Sequence, residues 1–141
     1  MISENEQGTV ILALQRATHA TLRALAARLS DLDLTASEIN ALANLADGRT
    51  RSMGKLAADT ASRPTTLTSL LDRMTRRGYV VRELDPGDRR SFLVSLTEKG
   101  RPVARAAMAA MGDLEREALG AVSSTQIAGF RAVVRALAKV P

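Results

Sequence analysis

Apolar residues recur at helical spacing through most of this chain and alternate only briefly beyond its middle. From Val10 to Leu32 the set Ile11, Leu14, Thr18, Leu22, Leu25, Leu29 and Leu32 repeats at threes and fours. That period places them on one side of a helix, and the alanines between them favour the same conformation. Residues 1–8 are polar and are expected to fray. Asp31 and Asp33 interrupt the stripe. Thr35-Ala36-Ser37-Glu38 then has the form of a capping box, in which the Thr35 hydroxyl accepts from the Glu38 backbone and the Glu38 side chain reaches back. A short helix follows with Ile39, Leu42 and Leu45 on one face, stopped by Asp47-Gly48.

Ser52 is placed to cap a third helix, Met53 to Thr60, with Leu56 and Ala57 inward. After a break at Ala61-Ser62-Arg63, Pro64 suits the first turn of a fourth helix, where its missing N–H is not needed. This helix runs to Arg77 with Leu67, Leu70, Leu71 and Met74 inward, and Gly78 supplies the left-handed residue that ends it. The period then changes to two. Val80 and Leu84 share a face around Arg82, and Phe92, Val94 and Leu96 alternate with Ser91, Leu93 and Ser95. Asp85-Pro86-Gly87-Asp88-Arg89-Arg90 lies between the two runs, so a β-hairpin is expected. Thr97 opens a further helix presenting Val103, Ala107, Met111, Leu114 and Ala118. Ser123 to Gln126 is a second capping box, opening a last helix with Ile127, Phe130, Val134 and Leu137 on one stripe. The expected class is mainly α with a small β-hairpin wing (α+β). It divides into an N-terminal helix (1–34), a central lobe (35–97) and C-terminal helices (98–141).

Charge sharpens this division. The 141-residue chain carries a net +5, and the segment from Arg49 to Arg90, with ten basic and five acidic residues, holds all of it. A basic middle between neutral ends points to a polyanion-facing module on a neutral scaffold. The alanine-rich terminal helices bury little by themselves, and a second copy is the simplest cover for them.

Composition removes several classes of function. Aromatics are 2% of the chain and there is no Trp, which disfavours a stacking platform for single strands. Cysteine is absent, which excludes disulfides, thiol redox sensing and Cys-ligated zinc. His19 is the only histidine, and a side chain at packing or surface is its simplest role. No glycine-rich phosphate loop or nucleophile–base set is apparent, so no enzyme, cofactor or metal site is expected. No apolar run is long enough for a membrane span and no signal peptide is evident, so a cytoplasmic place is expected.

Two helices joined by a tight break and followed by a basic hairpin make a winged helix-turn-helix pattern, whose second helix enters the major groove of duplex DNA. The outward face of the Pro64–Arg77 helix offers Thr65, Thr66, Thr68, Ser69, Arg73 and Arg76. Short hydroxyls and arginines suit base edges and phosphates. Arg63 stands at a helix N-terminus, where a cation is disfavoured unless an anion binds there. Arg73 has no acidic neighbour four residues away, whereas Arg76 is spaced to pair with Asp72. The candidate DNA-binding residues of this helix are therefore Arg63, Thr65, Thr66, Ser69, Arg73 and Arg76, and the basic hairpin adds Arg89 and Arg90. The plainer alternatives are a polar helix face and a solvated turn.

These residues also carry a family resemblance. Leu56-Ala57, Thr66 to Met74, Arg77-Gly78-Tyr79-Val80, and above all Asp85-Pro86-Gly87-Asp88-Arg89-Arg90-Ser91 leading to Leu96-Thr97-Glu98-Lys99-Gly100 resemble the MarR family of bacterial regulators. The resemblance extends from Val10 to the last helix. It implies a triangular homodimer with intertwined terminal helices, binding a pseudo-palindromic duplex. It further implies that Arg90 enters the minor groove with Asp88 holding it. A ligand-responsive repressor is the expected function, with a small-molecule effector of unknown identity. A weakly specific architectural DNA binder is the alternative.

Overall fold

A computed structural model describes residues 8–141. Its elements in order are α1 (Val10–Arg28), a 3-10 turn (Ser30–Leu32), α2 (Ala36–Leu45), β1 (Arg51–Ser52), α3 (Met53–Thr60), α4 (Pro64–Arg76), β2 (Val80–Asp85), β3 (Asp88–Leu96), α5 (Gly100–Leu119) and α6 (Ser124–Leu137). Both capping boxes form, at Thr35/Glu38 and at Ser123/Gln126. Ser52 caps α3 by accepting from the Lys55 backbone. Gly78 ends α4 at φ +78°, as the sequence required.

Contacts group the described residues into two units, 8–111 and 112–141. In the first, Ile39, Leu42, Leu45, Leu56, Leu67, Leu71, Met74, Val80 and Val94 form a fully enclosed core. The apolar faces read from the sequence for α2 and α4 are those that are buried. In the second unit no residue of α6 is buried, and Phe130 and Val133 lie open.

Three features differ from the sequence reading. The first stripe runs on to Leu32, but the α-helix closes at Arg28 and the chain tightens into a 3-10 turn ended by Asp33 at φ +51°. The hairpin is part of a three-stranded antiparallel sheet of order β1-β3-β2, in which Arg51 and Ser52 pair with Val94 and Leu93. A two-residue strand carries no periodicity to read. The buried residues of α5 are Gly100, Ala104, Ala107 and Ala110, whereas Val103, Met111 and Leu114 are only half-buried and Ala118 is exposed. At the first of these positions the backbones approach closely. A Cβ on Gly100 would stand 2.0 Å from the Tyr79 carbonyl oxygen. The Thr97 hydroxyl closes this junction, donating to the Gly78 carbonyl and accepting from the Gly100 backbone at 3.0 Å.

Candidate nucleic-acid interface

The α3–α4 pair is joined by Ala61-Ser62-Arg63, with Ala61 in the left-handed region at φ +51°. The Ser62 backbone donates to the Ala57 carbonyl, and the Thr60 and Ser62 hydroxyls meet at 2.9 Å. These bonds fix the angle at which α4 leaves the turn. Arg63 occupies the N-cap of α4 with its side chain exposed and making no cap bond, so the first turn keeps free N–H donors. Positive end and cation coincide there, which is an arrangement suited to an anion.

Along the outer face of α4, Thr65, Thr66, Ser69, Arg73 and Arg76 are all exposed. The Thr68 hydroxyl turns back to the Pro64 carbonyl at 2.9 Å. No side-chain hydrogen bond or ion pair engages Arg63, Thr65, Thr66, Ser69 or Arg76 among the described residues.

Arg73 differs from its neighbours. Its guanidinium donates to Glu38 Oε1 at 3.0 Å and to Thr35 Oγ1 at 3.3 Å, while 48% of its side chain stays exposed. Glu38 is the one buried charged residue of the described chain. The same carboxylate accepts from Arg77 Nη1 at 3.4 Å. Arg77 also donates to the Asp33 and Leu32 carbonyls at 2.7 and 2.8 Å and lies 5.0 Å over the Tyr79 ring. The start of α2 and the end of α4 are thus clamped through one carboxylate. Sequence spacing misses this clamp, because Glu38 is 35 residues from Arg73. The capping box predicted the Glu38 backbone role but gave no sign of its two arginines.

The expected Asp72–Arg76 pair does not form. Asp72 is instead bound by Arg82 of β2, whose side chain projects from the sheet towards α4. A strand neighbour outcompetes the helical one, and Arg76 is left unpaired.

At the wing, Asp85 faces Asp88 across a Pro86-Gly87 turn, and Asp85 Oδ1 accepts from the Gly87 backbone at 2.9 Å. Leu84 pairs with Phe92 while Asp85 pairs with Asp88, so the register slips and Arg89, Arg90 and Ser91 form a bulge in β3. A bulge re-aims side chains away from the ladder. Arg89 and Arg90 are exposed, and neither guanidinium has a partner among the described residues. At this tip Asp88 accepts the Arg90 backbone N–H at 3.0 Å and makes no ion pair with the Arg90 side chain.

Asp47, in the turn after α2, is bound by Arg51 at 2.6 Å and accepts the Arg49 backbone N–H at 2.9 Å. The Arg51 hydrogen bond, then the Arg49 backbone, hold its carboxyl below the usual carboxylate value. The pair ties the α2 turn to β1 and so to the root of the wing.

A sequence profile of the MarR family matches residues 32–91, the span that holds α2 through the wing bulge. The chain is 33% identical over 103 residues to the transcriptional regulator HosA of Escherichia coli O111:H-, covering 73% of this chain and 76% of that protein. The chain belongs to the MarR family. Members are winged-helix transcriptional regulators. Among solved structures, NadR in complex with 4-hydroxyphenylacetate superposes over the full length of both chains with a TM-score of 0.86 at 19% identity. Bordetella bronchiseptica BpsR, whose DNA binding is regulated by 6-hydroxynicotinic acid, covers 100% of this chain and 98% of its own with a TM-score of 0.79 at 23% identity. At those identities the likeness concerns the MarR fold. No described helix is long and apolar enough to cross a membrane.

Proposed function

We propose that this regulator lays α4 in the major groove and its wing in the minor groove of a pseudo-palindromic operator. The observation that carries the reading is a set of unengaged donors on two adjoining elements. Arg63, Thr65, Thr66, Ser69 and Arg76 on α4, with Arg89 and Arg90 on the wing bulge, are exposed with side chains that lack a described partner. Arginine forks suit guanine edges and phosphates, and hydroxyls suit bases or phosphates. Arg73 contributes its outer edge while Glu38 holds its inner one. Asp88 orders the tip that presents Arg90. The residues act on DNA without any catalytic step, and the protein works in the cytoplasm on the chromosome.

The functional division follows the chain: 1–34 and 98–141 for dimerisation, and 35–97 for DNA. Exposed Val10 and Ile11 on α1, and exposed Phe130 and Val133 on α6, are apolar surface that a second copy covers. Two α4 helices then meet successive major grooves, about 34 Å apart. An effector acts by favouring a spacing that misses those grooves, which releases DNA and relieves repression. Small hydroxylated aromatic acids, of the kind named for NadR and BpsR, are the first class to screen. The chain has no cysteine, so release rests on ligand binding rather than thiol oxidation.

Selection of duplexes from a random pool, followed by footprinting against excess random DNA, tests the reading. Protection confined to a palindrome is expected. Uniform protection overturns operator recognition in favour of an architectural role. Affinity also falls steeply with salt, each neutralised phosphate adding about 0.9 to the log–log slope.

A further inference from the structure

We propose that Leu84 and Phe92 form an apolar seat that rests the wing on the deoxyribose edges of the duplex. The inference rests on the wing-in-groove reading above and adds to it a contact that carries no charge. Leu84 and Phe92 stand directly opposite each other on β2 and β3, and they are 58% and 44% exposed. Alternation places Leu84 on the same sheet face as Val80 and Arg82, and Phe92 on that of Val94. Val80 and Val94 are buried under the helices, and Arg82 reaches Asp72 of α4. This is therefore the face turned to the recognition helix, and it runs outward past the shelter of the core until only the Leu84–Phe92 pair covers it.

Two features select nucleic acid as the occupant. Along the hairpin the pair lies between Arg82, which is bound to Asp72 of α4, and the Arg89–Arg90 bulge, so a duplex that engages both α4 and the bulge is brought towards it. Groove walls between phosphates are sugar C–H edges, apolar surface that leaves water when an apolar side chain lies against it. A second protein is a poor fit, since two side chains are far below the ~1,000 Å² that a specific protein interface needs. A cross-strand aromatic–aliphatic pair also stabilises a hairpin, and this is the structural role that the test must separate.

The full-length protein and a duplex recovered from the random pool supply the test. Leu84→Thr/Phe92→Thr keeps residues that favour strands. We expect DNA affinity about tenfold weaker, on the scale of partly losing the burial of two apolar side chains. The salt slope stays unchanged, because no counterion-releasing contact is lost, and the heat-capacity change of binding becomes less negative. Phe92→Leu restores most of the affinity. Arg90→Ala, measured in parallel, lowers the slope by about 0.9. If Arg90→Ala weakens binding and the double variant does not, the apolar seat is refuted while the wing reading stands. Weaker binding with a reduced slope, or a wing protected less from proteolysis in the free protein, makes the pair a hairpin staple and also refutes it. If Arg90→Ala and the double variant are both silent, the wing reading itself fails.

Discussion

α4 and α6 are nearly the same length, 13 and 14 residues, and both carry an apolar stripe at helical spacing. They end in opposite states. α4 buries Leu67, Leu70, Leu71 and Met74 against α2, α3 and the sheet, whereas α6 buries nothing. The stripe therefore says that a helix will be covered, and not by what. For α4 the cover lies in the same chain, and the helix is held firmly enough to present a patterned outer face. For α6, on the dimer reading proposed above, it lies in another copy, and the surface that sets the spacing of two DNA-binding lobes is then assembled only on dimerisation.

This contrast is open to attack at both ends. Leu71 is fully buried, and Leu71→Ala should cost about 2–5 kcal/mol, the range for truncating a core leucine. Chemical denaturation checks it, and a change below 1 kcal/mol would mean that α4 is not set by this core. Phe130→Ser should leave the fold of residues 8–111 intact yet weaken dimerisation by about 1.5–3 kcal/mol per copy, the value of one large apolar side chain. Sedimentation at falling concentration reads this directly; an unaltered dimer would place the interface elsewhere. Arg90→Ala, which touches neither core nor dimer, should weaken operator binding by about 1–3 kcal/mol with unchanged melting temperature.

The smallest effect concerns Asp47. Its folded carboxyl ionises at lower pH than in the unfolded chain, so its charged form favours the fold. That contribution is complete above the usual carboxylate range and disappears as pH falls through the lowered folded value. Asp47→Asn should flatten the acid limb of stability against pH and leave neutral-pH DNA binding alone. An unchanged acid limb would remove the Asp47–Arg51 tie from the account of the wing root.

Much of the site was legible because its signals are local. Pro64, Gly78 and the alternation around Arg82 placed the recognition helix and the wing, since each acts through neighbouring backbone. Partners distant in sequence were not legible. Arg73 looks unpaired within its helix, yet its carboxylate comes from α2. Asp72 looks paired with Arg76, yet a strand residue takes it. Similarly, Val103, Met111 and Leu114 of α5 read as inward with Ala107, yet they are only half-buried, and at Gly100 the approach of the Tyr79 backbone leaves no room for a Cβ.

By itself the sequence determined the order of elements, their caps, the enclosed faces of α2 and α4, and the concentration of positive charge between Arg49 and Arg90. These follow from periodicity, turn chemistry and composition, which act over a few residues. Tertiary structure decided that Glu38 takes Arg73 and Arg82 takes Asp72, that Arg63, Arg76, Arg89 and Arg90 keep no partner among the described residues, and that α6 buries no residue. Those outcomes depend on which distant group the fold sets beside a charge or an apolar face, and only the folded chain brings such groups together.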